Sequence, residues 1–222
     1  FSKNVLQATN SLKKSVSIDD LNGYSEAELS KVREGDEYIV SLQIPVYIDL
    51  MTYAENKGLR EEVYRAYISR ASDVGITPVK FDNRKVMDEI LKLRSEMSIL
   101  LGLSNYAEYS VQSKMVDSPE SVIDFLEKLV NLSHLQAKTE LKDLEAFAGH
   151  DLMPWDLMFY SEKLKQKVFN FKSADLKPYF PESSVLSGLF ETIQNLYSVT
   201  LTEVQEDCYH PDVRVIMLED ED

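Results

Sequence analysis

Apolar residues recur at intervals of three and four along most of the chain, the period of a helix with one buried face. The clearest run is Val86, Ile90, Leu93, Met97 and Leu100, whose spacings of 4, 3, 4 and 3 place five apolar side chains on one side of a helix. Asp82 is positioned to cap its start and Gly102 to end it, because glycine takes the positive φ of a helix exit without strain. A longer helix is predicted to open with Ser118 as N-cap and Pro119 in the first turn, where a missing N–H costs nothing. Its stripe runs through Val122, Phe125, Leu126, Leu129, Val130 and Leu132, continues through Ala137, Leu141, Leu144 and Ala148, and stops near Gly149. Shorter helical patterns cover Leu59 to Ala71, Trp155 to Val168 and Val185 to Tyr197, and an amphipathic pattern is already running by Val5 and Leu6.

Strand signals are few: Tyr38 to Gln43, Val199 to Glu203 and Val213 to Leu218 are β-branched or alternating. Pro45 limits the first to a brief or edge strand. The expected fold class is mainly α, a single multi-helix segment over residues 1–222 with a small β element near its C-terminal end. That end reads in two ways. The strand Val213 to Leu218 pairs with Val199 to Glu203 and leaves Glu219 to Asp222 as a solvated acidic tail, or a hairpin turn begins at the acidic run and its second strand lies beyond residue 222. Local sequence leaves both open.

Composition narrows the function classes. Of 222 residues, 44% are hydrophobic and 28% charged, and there are only 7 glycines and 7 prolines, which fits neither disorder nor a turn-rich β protein. The net charge of −14 and pI near 4.7 repel phosphate backbones and anionic headgroups, so neither nucleic acid nor a membrane surface is an expected partner. No charge-free run exceeds 11 residues, well short of the roughly 18 apolar residues of a membrane span. The single cysteine, Cys208, forms no internal disulfide, and no basic-then-apolar leader is visible; a reducing, cytoplasmic setting is expected.

Candidate chemistry is sparse. A zinc hydrolase presents histidines at i and i+4 of one helix, with a glutamate beside the first to activate water. Four residues after His134, His150 and His210 stand Lys138, Pro154 and Arg214 instead. His134 reads as a surface residue, His150 as a ligand of the carbonyls at the helix exit, and His210 as part of an ordered turn before Pro211 and Asp212. Glu206 and Asp207 beside Cys208 disfavour a thiolate. Phosphate-loop, dinucleotide and nucleophile-elbow signatures are all missing. Lys163, Lys165 and Lys167 form a basic cluster whose simplest reading is a solvated face. The densest aromatic group is Trp155-Asp156 with Phe159-Tyr160, read either as a core anchor or as the lining of a substrate channel, with Trp155 and Tyr160 as the channel candidates.

Several collinear segments resemble one family. They are Met51-Thr52-Tyr53, Arg60 to Tyr67, Ser69 to Asp73, Trp155-Asp156 with Tyr160 to Lys163, Leu176 to Pro181, Val185 to Phe190, and His210-Pro211-Asp212-Val213-Arg214. Together they resemble the thimet oligopeptidase and oligopeptidase A family of zinc metallopeptidases, over essentially the whole chain. The resemblance implies a larger, bilobed helical peptidase with a deep channel that cuts internal bonds of short peptides, using one zinc held by an HExxH helix and a downstream glutamate. That helix lies well after the His210 to Arg214 strand in the family, so no catalytic or zinc-ligating residue is carried onto this chain. Zinc is expected in the parent protein and none in this segment, which is expected to be inactive by itself. The missing catalytic lobe is then its main packing partner, and residues 199–222 the start of a truncated hairpin. Residues 31–35 and 149–154 look shorter than usual for the family. The alternative is a non-catalytic helical peptide-binding or scaffold module.

Overall fold

Helices of the computed structural model, which describes residues 1–76, 78–170, 176 and 178–220, fall on the period-3.6 runs. Lys177, within the Leu176 to Pro181 segment, and Glu221 and Asp222, the end of the predicted acidic tail, lie outside the described residues. The chain divides into two compact units, Phe1–Val168 and Phe169–Asp222.

The first unit opens with α1 (Ser2–Ser11), β1 (Lys13–Val16), α2 (Glu26–Val32), β2 (Arg33–Glu34) and β3 (Glu37–Ser41). Two helices, α3 (Ile44–Tyr53) and α4 (Lys57–Ile68), follow. α2 starts at a reciprocal box in which the Glu28 carboxylate accepts from the Ser25 backbone N–H and pairs with its hydroxyl. β2 and β3 are joined by a two-residue turn at Gly35 and Asp36, with Gly35 at φ 66°, so the short 31–35 stretch closes as a tight hairpin. The strand predicted at Tyr38 is thus central, antiparallel to both β1 and β2 in the order β1-β3-β2. Pro45 lies in the first turn of α3, where it costs no hydrogen bond and places no limit on the strand. This N-terminal sheet is absent from the sequence expectation of a single C-terminal β element.

One apolar core joins these elements: Val32, Val40, Leu42, Leu50, Met51, Leu59 and Val63 pack together, and Trp155 reaches them from far along the chain. A smaller cluster of Ala8, Ala71 and Phe81 ties α1 to the loop before α5 (Arg84–Leu100). There the buried Asn83 accepts from the Asn4 side chain at 2.9 Å. α5 begins one residue later than predicted, with Asp82 accepting from the Arg84 N–H at 3.0 Å, and Gly102 follows at φ 75°.

After α6 (Tyr106–Val111) comes α7 (Pro119–Ala148), whose ends are the expected ones: Ser118 Oγ accepts from Ser121 N–H, and Gly149 exits at φ 78°. Its stripe forms but stays largely exposed, with Phe125, Leu126, Leu129, Val130 and Leu132 open to solvent and Leu144 alone buried along the helix. A 3-10 turn at Pro154–Asp156 then leads into α8 (Leu157–Phe169).

The second unit holds α9 (Glu182–Tyr197), β4 (Val199–Val204) and β5 (Val215–Asp220). The strands pair antiparallel from Val199↔Asp220 to Val204↔Val215. Of the predicted strand Val213 to Leu218, Val215 to Leu218 pair with the Val199 segment, and the strand runs on through Glu219 and Asp220 of the acidic run. Arg214 and Glu203 bridge the ladder's open end, Arg214 Nε donating at 2.9 Å.

Candidate functional site

The densest chemistry lies where α4 meets the 3-10 turn ahead of α8. Asn56 caps α4, its side chain accepting from the Leu59 N–H at 3.0 Å, and this sets the helix so that Lys57, Arg60 and Tyr64 share a face. Arg60 is only 2% exposed, and its guanidinium is almost fully engaged. Nε donates to the Trp155 carbonyl at 3.1 Å, Nη1 to the carbonyls of Ala54 and Glu55 at 2.7 and 3.2 Å, and Nη2 to Asp156 Oδ1 at 2.7 Å. The ring of Phe159 covers the guanidinium at 4.3 Å.

Asp156 is wholly buried, and its second oxygen meets Lys57 Nζ at 3.0 Å and the Met153 N–H at 3.3 Å. Burial pushes this carboxyl up, but the bonds from Arg60, Lys57 and the Met153 N–H outweigh it and hold the group below its ordinary value. A buried carboxylate so bound stays ionised at neutral pH. One residue earlier, Trp155 is 5% exposed, tilted against Tyr64 at 5.9 Å and covered by the Arg65 guanidinium at 4.9 Å. Among the described residues its buried indole N–H has no acceptor.

Tyr160 lies on α8, half-buried, with its hydroxyl 3.0 Å from His150 Nε2. His150 Nδ1 stands 2.7 Å from the Asp151 carbonyl. A carbonyl only accepts, so Nδ1 carries the proton, and in the neutral ring Nε2 accepts from Tyr160. His150 is thus a partner of Tyr160 rather than a ligand of the carbonyls that close α7, because Gly149 already turns the chain away. The two channel candidates do not form one surface: Trp155 belongs to the core cluster, while Tyr160 faces the α7 exit.

Three lysines follow along α8. Lys163 lies 3.6 Å from Glu55 and 5.2 Å from the Phe159 centroid, Lys165 lies 3.4 Å from Glu162, and Lys167 lies 5.1 Å over the Phe147 ring. Cys208 is exposed, and His210 Nδ1 accepts from the Asp212 N–H at 3.2 Å, an ordered turn as expected. Zinc requires several converging His, Cys, Asp or Glu side chains, and among the described residues no three are so grouped. This chain's described residues do not fit a zinc site, and no chemical step is derived through one. Among them, no helix is long and apolar enough to cross a membrane.

Sequence reasoning missed Arg60 and Lys57 as partners of Asp156. Nothing local marks them, since Arg60 stands in a charged run, Arg60-Glu61-Glu62, that reads as a solvated face.

Comparison with known proteins bears on the whole arrangement. The sequence model of Peptidase family M3 matches residues 50–222. Oligopeptidase A of Escherichia coli is 43% identical over all of this chain, which corresponds to 34% of that protein. The chloroplastic and mitochondrial organellar oligopeptidase A of Arabidopsis thaliana is 35% identical over 90% of the chain and 27% of its own length. A dipeptidyl carboxypeptidase of Escherichia coli is 27% identical over 89% of the chain and 30% of its own length. The chain spans about a third of the length of such relatives. With a family match running from α3 through β5 and identity above 40% from end to end, this chain belongs to peptidase family M3 and to its oligopeptidase A group.

Proposed function

We propose that the chain is part of a zinc metallo-endopeptidase of the oligopeptidase A type, a cytoplasmic enzyme that hydrolyses internal bonds of short peptides. The observation that carries the reading is the match to oligopeptidase A from one end of the chain to the other, 43% identical yet covering only 34% of that protein. The zinc is held by residues outside these 222, where it would polarise the scissile carbonyl and activate water. The segment supplies wall and scaffold: Arg60 and Asp156 pin α8 to α4, Trp155 backs that wall from within, and Tyr160 is the candidate that touches substrate. The catalytic lobe is the partner of the exposed apolar stripes on α5 and α7, whose open Leu93, Leu100, Phe125 and Leu129 are unusual for a surface in water.

A quenched fluorogenic oligopeptide tests this. The 222-residue chain with added zinc is expected to show no turnover above a metal blank, whereas the full-length protein cleaves it and loses activity in a chelator. Specific turnover by the chain alone, or chelator-insensitive cleavage by the full-length protein, would overturn the proposal.

A further inference from the structure

We propose that Asn22, followed by Gly23, is a site of spontaneous deamidation that the native fold holds shut, so that a chain which has unfolded carries a permanent chemical mark. Such chemistry needs no peptidase activity and stands apart from that reading.

The reaction is intramolecular and takes water as its only co-reactant. The Gly23 backbone nitrogen gives up its proton and attacks Cγ of Asn22; a C–N bond forms, and ammonia departs as the Cγ–Nδ2 bond breaks. Water then opens the five-membered succinimide at either carbonyl, leaving aspartate or its β-linked isomer, and the lost ammonia does not return on refolding. Asn22 is the one asparagine of the chain that precedes a glycine. With no Cβ, glycine leaves the attacking nitrogen unshielded. Among the described residues no hydrogen bond occupies the Gly23 N–H, and Asn22 is exposed to water.

The fold keeps the two reacting atoms apart. Leu21 to Tyr24 form a type II turn, with Asn22 at φ −51° and ψ 134°, Gly23 at φ 99°, and the Tyr24 N–H donating to the Leu21 carbonyl at 3.1 Å. Ring closure needs the Gly23 nitrogen nearly eclipsed with the Asn22 Cβ, at a ψ of roughly −120°, outside the allowed regions for an L residue. The observed ψ is more than a quarter turn away. Rotation is opposed from three directions. The Asn22 carbonyl accepts from the Glu55 N–H at 2.8 Å, a bond that turning ψ breaks. Gly23 lies so close to α3 that a Cβ on it would stand 2.1 Å from the Tyr53 carbonyl oxygen. On the flanks, Leu21 is 2% exposed within the main core and Tyr24 packs against that core. The turn therefore opens only when Leu21 and Tyr24 leave the core, which is an opening of the N-terminal packing and not the fluctuation of a loose loop.

Peptide mapping of the full-length protein tests this. Trypsin releases residues 15–31 as one peptide in which Asn22 carries the only side-chain amide, so exchange of its NH2 for OH is read directly by mass. Samples are aged at one pH and temperature, in native buffer and in urea, before digestion. The peptide is expected to convert steadily in urea and at least about a hundredfold more slowly in native buffer. Leu21→Ala removes one anchor and should speed native conversion at least about tenfold, with melting curves verifying that the variant is folded during ageing. Asn22→Ser should gain no mass in either buffer. Conversion as fast in native buffer as in urea overturns the inference, because the turn then guards nothing. Absence of conversion in urea overturns it as well, by making the dipeptide inert. A folded Leu21→Ala chain that converts no faster than the wild type removes the core from the gate and overturns the mechanism. All of these readouts are masses of one peptide, so each outcome leaves the peptidase reading where it stands.

Discussion

At the scale of single residues, the Arg60–Asp156 pair dominates. Both groups are out of water, so removing one strands the other, which costs about 3–5 kcal/mol. Arg60→Met is expected to destabilise the first unit by that amount, measured by urea unfolding, because it leaves Asp156 half-paired and the carbonyls of Ala54, Glu55 and Trp155 without their donor. Replacing both partners with apolar residues of similar volume, Arg60→Met/Asp156→Leu, should cost less than Arg60→Met alone. The pair also sets an acid limit. The folded-state pKa of Asp156 is depressed below its ordinary 3.8, so its stabilising contribution is present above that value and is lost as pH falls through the lower folded value. The stability difference between the wild type and Asp156→Asn is thus expected to stay constant from neutral pH to about pH 5 and to shrink below about pH 4, followed by urea midpoints. None of this was legible beforehand. Trp155-Asp156 stood out by composition, but its partner is 96 residues away and no periodicity announces it.

At the scale of elements, the turns separate conformational cost from steric cost. Gly149 closes α7 at φ 78° with open space where a Cβ would lie, so Gly149→Ala should cost about 1–2 kcal/mol, purely for the left-handed backbone. Gly23 has φ 99°, but a Cβ there would stand 2.1 Å from the Tyr53 carbonyl oxygen, a backbone atom that cannot step aside. Gly23→Ala is therefore expected to destabilise by more than about 3 kcal/mol. Equal losses in thermal unfolding for the two variants would show that the close approach to Tyr53 is not what Gly23 serves. The ends of α7 were readable because a serine N-cap, a first-turn proline and a C-terminal glycine act within a few residues of where they stand. α8 was placed two residues early, because the Trp155 and Asp156 positions continue the helical period while their backbone forms a 3-10 turn. The bonds to Arg60 hold them there.

At the scale of the whole molecule, the exposed apolar residues of α5 and α7, Leu93, Leu100, Phe125 and Leu129 among them, depart from an ordinary surface in water. If the catalytic lobe covers them in the full-length protein, the 222-residue chain should bind an environment-sensitive hydrophobic dye and self-associate on a sizing column, and the full-length protein should do neither. A chain that stays monomeric and dye-silent would show that these faces need no cover. The stripes themselves were legible from periodicity, since five apolar residues from Val86 to Leu100 can share a face whatever lies opposite. What lies opposite was not legible, because a hydrophobic period specifies a face and not its partner.

Sequence alone determined the longer helices α4, α5, α7, α8 and α9, both ends of α7, the acidic balance and membership in the oligopeptidase family, all of which reside in residue identity and short-range spacing, whereas the short helices α2, α3 and α6 carried no such signal. Tertiary structure alone decided that Tyr38 to Ser41 is the centre of a three-stranded sheet, that Asp156 is an ionised buried group, and that Trp155 and Tyr160 take separate environments. Each of these depends on a contact between residues distant in the chain, such as Val16 with Tyr38 or Arg60 with Asp156. Such contacts leave no periodic trace in either partner, because burial and charge are properties of the assembled neighbourhood.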